Sequence, residues 1–111
     1  MARTGKILGQ VNPAATTQTE IYTVPTGSTA IVSAITACDT GGAASTVRVA
    51  IRAKGELLAT KHWIYYDRAL AANATLIMAA GLPLEEGDIV EVYSSVADTA
   101  FGLFGVEDTF R

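Results

Sequence analysis

Nucleophilic or metal-dependent chemistry has few side chains to draw on in this sequence. His62 is the only histidine and Cys38 the only cysteine among the 111 residues. A Ser-His-Asp or Cys-His device needs an imidazole beside a nucleophile, and no nucleophile motif accompanies His62. One histidine and one cysteine also cannot make a tetrahedral metal site. We therefore expect no catalytic residue, no metal and no cofactor, and we expect that the chain is not an enzyme.

Two other segments carry residue types that bind cations or phosphates in some proteins. Glu85, Glu86 and Asp88 form the densest group of carboxylates, but no calcium-binding loop of the EF-hand kind surrounds them. Gly41-Gly42 lacks the lysine and the following helix that a phosphate-binding loop requires. Both segments are typical of turns between strands.

Trp63, Tyr65 and Tyr66 form the one group of side chains with a recognisable binding chemistry. Such rings stack on sugars and bases, and they also fill cores and anchor protein interfaces. The net charge is −3, with no basic patch beyond Arg3 and Lys6, which speaks against a nucleic-acid partner because phosphates require cations. The aromatic group is therefore either a packing and interface cluster or the platform of a carbohydrate-binding module.

The elements that must position these residues are short β-strands. Gly, Pro, Asn and Asp divide the chain into eight segments, a spacing typical of sandwiches and barrels. In the clearest segment Val47, Val49 and Ile51 alternate with Arg48 and Arg52, which is the period of a strand with one buried face. We predict an all-β fold, a single antiparallel β-sandwich of about eight strands that is jelly-roll-like. The predicted strands are 6–11, 20–24, 29–38, 45–53, 60–66, 74–80, 89–95 and 99–107.

We predict one domain over residues 1–111, with an N-terminal arm at 1–6 and a C-terminal tail at 108–111. The arm carries two positive charges and no apolar anchor, so by itself it should be disordered. No apolar run approaches the roughly 18 residues that span a membrane, and the N-terminus lacks the apolar core of a secretory signal. The lone cysteine forms no internal disulfide. We therefore expect synthesis in a reducing cytoplasm and no membrane partner.

The chain has more apolar surface than a small sandwich hides in its own interior. Apolar residues make up 50% and charged residues 17% of the sequence, and the mean hydropathy is +0.31. Alternation leaves several strands apolar on both faces, whereas a free antiparallel sheet shows polar residues to water. We predict that partner subunits cover the outer faces; bulges that reverse the phase, and a monomer coated with small residues, are the alternatives.

Strict alternation assigns faces within the apolar strands. It places Ile31 and Ile35 on one face, and Trp63 and Tyr65 together on another, with Tyr66 opposite. Gly102 and Gly105 indicate a bulge in the last strand. The predicted interface residues are Ile35, Trp63, Tyr65, Tyr66, Ile77, Phe101 and Phe104.

Five segments follow one another within roughly residues 7–107, namely Tyr22–Ser33, Tyr65–Asp67, Asn73–Leu76, Gly81–Leu84 followed by Gly87-Asp88, and Phe104–Glu107. In this order they resemble small structural proteins of tailed bacteriophages. The resemblance implies a virion protein with a β-sandwich or jelly-roll fold, made in the host cytoplasm, that decorates and cements the capsid or sits in the tail, baseplate or fibres. The implied partners are further copies of the chain, with a trimer as the candidate homo-oligomer, and major capsid or tail proteins.

Overall fold

The computed structural model describes residues 2–109, apart from the side chains at positions 2, 79 and 80. One short 3-10 helix, Thr60–His62, stands among the strands of this described region. Gly27 and Gly87 both have positive φ, and each lies in a turn next to a strand. The strands are β1 (Ala2–Val11), β2 (Thr19–Thr23), β3 (Ser28–Asp39), β4 (Ser45–Arg52), β5 (Trp63–Leu70), β6 (Thr75–Leu84), β7 (Ile89–Ser94) and β8 (Thr99–Thr109).

The strands form two four-stranded sheets. Sheet I has the strand order β1-β8-β3-β6 and sheet II has the order β2-β7-β4-β5. All the pairings are antiparallel. The chain changes sheet at every connection except that between β4 and β5. This is the arrangement of an eight-stranded jelly roll, so the predicted all-β sandwich is confirmed.

The core lies between the inner faces of the two sheets. Sheet II contributes alternating valines from its central strands, and sheet I contributes larger residues from β3 and β8. Burying each such side chain contributes about 1.5–3 kcal/mol, which opposes the entropy cost of ordering the strands. The core residues with the least exposure include Val32, Val47, Val49, Val90, Val92 and Leu103.

A β-bulge reverses the side-chain phase half-way along β3. The pairing of β3 with both of its neighbours shifts register between Val32 and Ala34. Ile31 is consequently 38% exposed on the outer face, whereas Ile35 is 3% exposed in the core. The prediction that Ile31 and Ile35 share a face is wrong, because period-two counting does not see the extra residue.

The glycines of β8 leave room for the neighbouring strands and do not produce a bulge in β8 itself. The register of β8 runs on without interruption, and the shifts occur in β1 and β3. A Cβ at Gly105 would collide with the backbone carbonyl oxygen of Ile31. The predicted bulge in the last strand is therefore wrong: Gly105 allows β8 to lie close against the bulge in β3.

Both predicted terminal extensions differ from the structure. Residues 2–6 belong to β1, which pairs with β8 from Ala2 opposite Thr109. Arg3 Nε donates a hydrogen bond of 2.8 Å to Asp108 Oδ1 across this pair. Residues 2–6 of the predicted arm and residues 108–109 of the predicted tail are thus strand residues, because each segment satisfies the other's backbone groups. Three residues of these predicted extensions lie outside the described chain, namely Met1, Phe110 and Arg111.

Two predicted loops are shorter in the structure. β5 continues to Leu70, although a loop is predicted over 67–73, and β6 continues to Leu84, although a loop is predicted over 81–88. Both strands are at sheet edges and both contain register shifts. Bulges interrupt the alternation of side chains in these edge strands, so the alternation pattern does not predict where the strands end.

Candidate functional site

Two of the seven predicted interface residues are buried and cannot contact a partner. Ile35 is 3% and Phe101 is 2% exposed, and both belong to the core between the sheets. Tyr65 is partly buried and packs against that core. The assignment of Ile35 and Phe101 to an interface is therefore corrected, and Tyr65 serves mainly as a wall of the interior.

The outer face of sheet I carries apolar side chains on all four strands, exposed on β1, β3 and β6 and partly exposed on β8. Ile7 is 54% exposed and Ile77 is 64% exposed, at opposite edges of the sheet. The register places Ile7 beside Phe104 and Ile31 beside Val106. Large apolar areas of this kind mark interaction surfaces. We call this surface the apolar band; it consists of Ile7, Ile31, Ala34, Ile77, Pro83, Phe104 and Val106.

Phe104 lies flat on this outer face because Gly102 leaves room beneath its ring. A Cβ at Gly102 would lie 2.8 Å from the Phe104 ring and 2.8 Å from Thr36 Oγ1. Phe104 is consequently half-buried by its own sheet. A flat ring makes the middle of the band level, which favours contact with another flat surface.

The outer face of sheet II carries a different group of residues. The rings of Trp63 and Tyr66 are in edge-to-face contact, with centroids 5.1 Å apart and planes at 72°. The Arg48 guanidinium carbon lies 4.3 Å from the Tyr66 centroid and 4.3 Å from the Tyr93 centroid. Arg48 Nε also donates a hydrogen bond of 2.6 Å to Asp67 Oδ1. We call these five residues the arginine-aromatic cluster.

A bulge in β5 brings Trp63 to the outer face. Trp63 pairs with Ala50 and Tyr65 pairs with Val49, so consecutive residues of β4 oppose alternate residues of β5. Tyr65 therefore points to the core and Trp63 to the side of Arg48. The prediction that Trp63 and Tyr65 share a face is wrong for this reason.

The cluster borders an open depression of about 450 Å³, lined by Thr60, Trp63 and Tyr66. This volume lies within the range of small-molecule sites, roughly 300–1,000 Å³. The hydrogen bond to Asp67 is the main cause that raises the pKa of Arg48 above its ordinary value. Arg48 is therefore a permanent cation with a fixed orientation, held by two rings and a carboxylate.

Sequence reasoning missed Arg48, Asp67 and Tyr93 as members of this group. Arg48 is on β4, Asp67 on β5 and Tyr93 on β7, and only the strand order of sheet II brings them together. Arg48 was visible as a solvent-facing residue of an alternating strand. Nothing in its local sequence indicates that two tyrosines from other strands enclose it.

His62 has a structural place near this depression. It is buried, its Nδ1 accepts a hydrogen bond of 2.9 Å from the Ala59 N–H, and its Nε2 lies 3.3 Å from Glu56 Oε1. Lys61 and His62 lower the pKa of Glu56, mainly through the hydrogen bond from Lys61. These contacts hold Glu56, Ala59 and His62 together, and Thr60 of the same segment lines the depression.

A buried ion pair lies beneath the same loop. Glu91 is 6% exposed, and Arg52 Nη2 donates a hydrogen bond of 3.1 Å to Glu91 Oε2. Arg52 Nη1 also donates to the Glu56 carbonyl oxygen at 2.9 Å. The arginine thus ties the loop to the sheet. Glu91 Oε1 and Arg52 Nε have no hydrogen-bond partner within the described chain.

Metal and membrane features can be stated for residues 2–109. No group of three or more His, Cys, Asp or Glu side chains in this range is placed to hold a metal ion. No helix in the same range has the length and apolar character needed to cross a bilayer. Cys38 is a free, half-buried thiol.

Comparison with known proteins adds a distant structural neighbour. The chain is similar to a solved structure described as a pentameric capsid protein isolated from metagenomic phage sequences. The two chains share 15% identity with a TM-score of 0.31, over 94% of this chain and 64% of the other, so this chain spans less than two thirds of that protein. A TM-score of this size carries no argument about function. No protein-family model and no curated protein sequence matches the chain.

Proposed function

We propose that the chain is a virion structural protein of a tailed phage that decorates and cements the head shell. The observation that carries the proposal is the apolar band, which crosses all four strands of sheet I. The order of sequence segments that resembles phage structural proteins supports it independently. We propose further that the chain acts by binding alone, without catalysis.

The proposed mechanism is burial of the apolar band against neighbouring subunits, both further copies of the chain and shell proteins. A specific contact needs about 800 Å² from each partner. Each square ångström of apolar surface removed from water contributes about 25 cal/mol, and the entropy cost of association offsets much of this gain. Stabilisation of a shell therefore requires many copies, each bridging neighbouring shell proteins.

The test is a count of copies per particle. Virions of the phage that encodes the chain are purified, and the chain is quantified by mass spectrometry and located by cryo-electron microscopy. A cement protein is present in a hundred or more copies at repeated positions on the shell. A count of about a dozen or fewer, or a position restricted to the tail, contradicts the capsid role.

A mutant phage tests the mechanism separately. Ile77→Asp places a charge in the apolar band, at a side chain that is 64% exposed, so the fold has room for it. We expect particles that lack the protein and lose DNA at a lower temperature than wild type. Leu57→Asp is the matched control, because Leu57 is 89% exposed outside the band. Equal heat stability of all three particles contradicts the mechanism.

A tail, baseplate or fibre component is the second candidate. The arginine-aromatic cluster favours it, because an exposed ring such as Tyr66, 57% exposed, suits attachment to a surface. Localisation distinguishes the candidates: isolated tails retain the protein in this case, and tail-less heads do not.

A further inference from the structure

We propose that the arginine-aromatic cluster binds a neutral carbohydrate, with one pyranose ring stacked beside Trp63 on the face of Tyr66 that is turned away from Arg48. The site is on the outer side of sheet II, whereas the apolar band is on the outer side of sheet I. The proposal therefore does not rest on the virion role, and either can fail without the other.

The two rings offer a platform for the apolar side of a sugar. Tyr66 is 57% exposed, and Trp63 meets it edge-to-face at 5.1 Å, forming one corner of the depression of about 450 Å³. A pyranose presents several C–H bonds on one face, and these carry positive partial charge. The negative π face of an aromatic ring attracts them.

Polar groups for the sugar hydroxyls adjoin this platform, because Thr60 lines the depression and Arg48 contacts the other face of Tyr66. Arg48 uses Nε for Asp67, and the structure shows no other hydrogen bond from its guanidinium within the described residues. The two terminal nitrogens therefore keep their N–H donors for hydroxyl oxygens. Asp67 keeps its second oxygen as an acceptor, and Thr60 adds a hydroxyl to the depression. Donor and acceptor side by side match two adjacent hydroxyls.

The charges of the site favour a neutral ligand over an anion. Arg48 and Asp67 compensate each other at 2.6 Å, so the site has no surplus positive charge. The whole chain carries −3. Phosphates and nucleic acids draw their affinity from uncompensated cations, which this site does not offer. A hydroxyl-rich neutral molecule needs only directed hydrogen bonds and a stacking surface.

The backbone at Asp67 holds an uncommon conformation that serves this arrangement. Its φ is +52°, in the left-handed region that residues other than glycine rarely adopt. Asp67 lies in the register shift of β5, between the pairs Val47–Arg68 and Val49–Tyr65. Strained residues of this kind cluster where a side chain must be aimed at a ligand. Here the residue in this conformation is the one whose carboxylate accepts the hydrogen bond from Arg48.

The test uses the single tryptophan of the chain as a reporter, because Trp63 lies in the site. The full chain is applied to a glycan array that includes maltohexaose, cellohexaose, chitohexaose and mannohexaose as neutral probes and a heparin hexasaccharide as an anionic probe. The strongest neutral probe is then titrated while Trp63 fluorescence is recorded. We expect saturable binding with a change in the emission of Trp63.

Variants distinguish stacking on Tyr66 from non-specific binding. Tyr66→Ala removes an exposed ring and should weaken binding about tenfold or more. Arg48→Lys keeps the charge and removes the planar donors, and it should weaken binding as well. Ile77→Asp, on the other sheet, should bind like the wild type. Circular dichroism confirms that each variant is folded.

Three results overturn the proposal. They are binding of no neutral probe, binding of the heparin probe alone, and neutral binding that Tyr66→Ala leaves unchanged in a folded variant. The purified Ile77→Asp variant is expected to bind the neutral probe even though the shell of the mutant phage lacks it. This pair of results supports the carbohydrate site and the virion role as separate functions of two surfaces.

Discussion

The two outer faces of the sandwich have opposite chemistry although the same fold presents them. On sheet I, Ile7 and Ile77 stand exposed at the two edges of a band of apolar residues. On sheet II, Arg48 is enclosed by Tyr66 and Tyr93 and bonded to an aspartate. The first face makes few directional contacts, so it suits broad burial against a partner. The second face offers donors and acceptors at fixed positions, so it suits recognition of a small ligand.

The comparison shows that the two outer faces of a jelly roll can differ in surface chemistry although they share one core. Inner faces must be apolar on both sheets, because together they make the core. Outer faces are free of that requirement, and each can acquire its own surface chemistry. We therefore rank the predictions by expected effect. A change in the core comes first, then a change on one outer face, then one at the hydrogen bond between the sheets, and last one at the strand ends.

The largest effect is expected from a change that damages both faces together. Leu103→Ala empties a fully buried position at the centre of sheet I, and we expect a loss of about 2–5 kcal/mol in the free energy of unfolding. Urea denaturation followed by circular dichroism measures it. Ala100→Ser, at an exposed position of the same strand, should cost about 0.5 kcal/mol or less. Equal effects of the two variants contradict the assignment of the core.

A change on one face should spare the other. Ile77→Asp introduces a charge that must lose its water when the apolar band is covered, so we expect self-association to weaken about tenfold or more. Size-exclusion chromatography with light scattering, over a range of concentrations, measures this. Leu57→Asp should associate like the wild type. If the wild-type chain stays monomeric at high concentration, the assignment of the apolar band as a self-association surface is contradicted.

The link between the sheets predicts a pH-dependent effect. The Tyr22 hydroxyl on β2 donates a hydrogen bond of 2.6 Å to Glu107 Oε2 on β8. This bond lowers the pKa of Glu107 below its ordinary value of 4.5. Burial is the main cause that raises the pKa of Tyr22 above its ordinary value of 10.0, and the bond to Glu107 adds to it. We expect Tyr22→Phe to cost about 1 kcal/mol at pH 7.

The sign of each shift defines the pH window of this contribution. A lowered carboxyl pKa stabilises the fold above its unfolded value, so the contribution of Glu107 is lost as pH falls below about 4.5. A raised phenol pKa stabilises the fold below its unfolded value, so the contribution of Tyr22 is lost as pH rises above about 10. Denaturant unfolding of both proteins across this range should show the difference shrinking at both ends. A constant difference contradicts the assigned bond.

The smallest effect is expected at the ends of β1 and β8. The ion pair between Arg3 and Asp108 is exposed, with 66% of the Arg3 side chain accessible, so water and salt screen it. Arg3→Ala should leave the thermal midpoint unchanged within error at physiological salt. Hydrogen exchange at low salt should nevertheless be faster in residues 2–6 of this variant. Exchange in residues 2–6 of the wild type at the rate of an unfolded chain contradicts their place in a strand.

Pattern reasoning predicted the strands best where apolar and polar residues alternate regularly along the strand. The prediction of β4 as 45–53 differs from the observed Ser45–Arg52 by one residue, because one of its faces is buried throughout the strand. It performed worst at Trp63–Leu70, an edge strand whose bulges mix the two faces. For the arginine-aromatic cluster it found Trp63 and Tyr66 from their types, and it missed Arg48, which depends on pairing between distant strands.

Local patterns in the amino-acid sequence predict the all-β class and eight strands, because turn residues and period-two alternation act over a few residues. Only the tertiary structure decided which face each apolar residue occupies, since one bulge in β3 buries Ile35 and leaves Ile31 outside. It also decided that Arg48 lies between two tyrosines from other strands. Strand order and register are set by contacts between distant segments, and no local pattern encodes them.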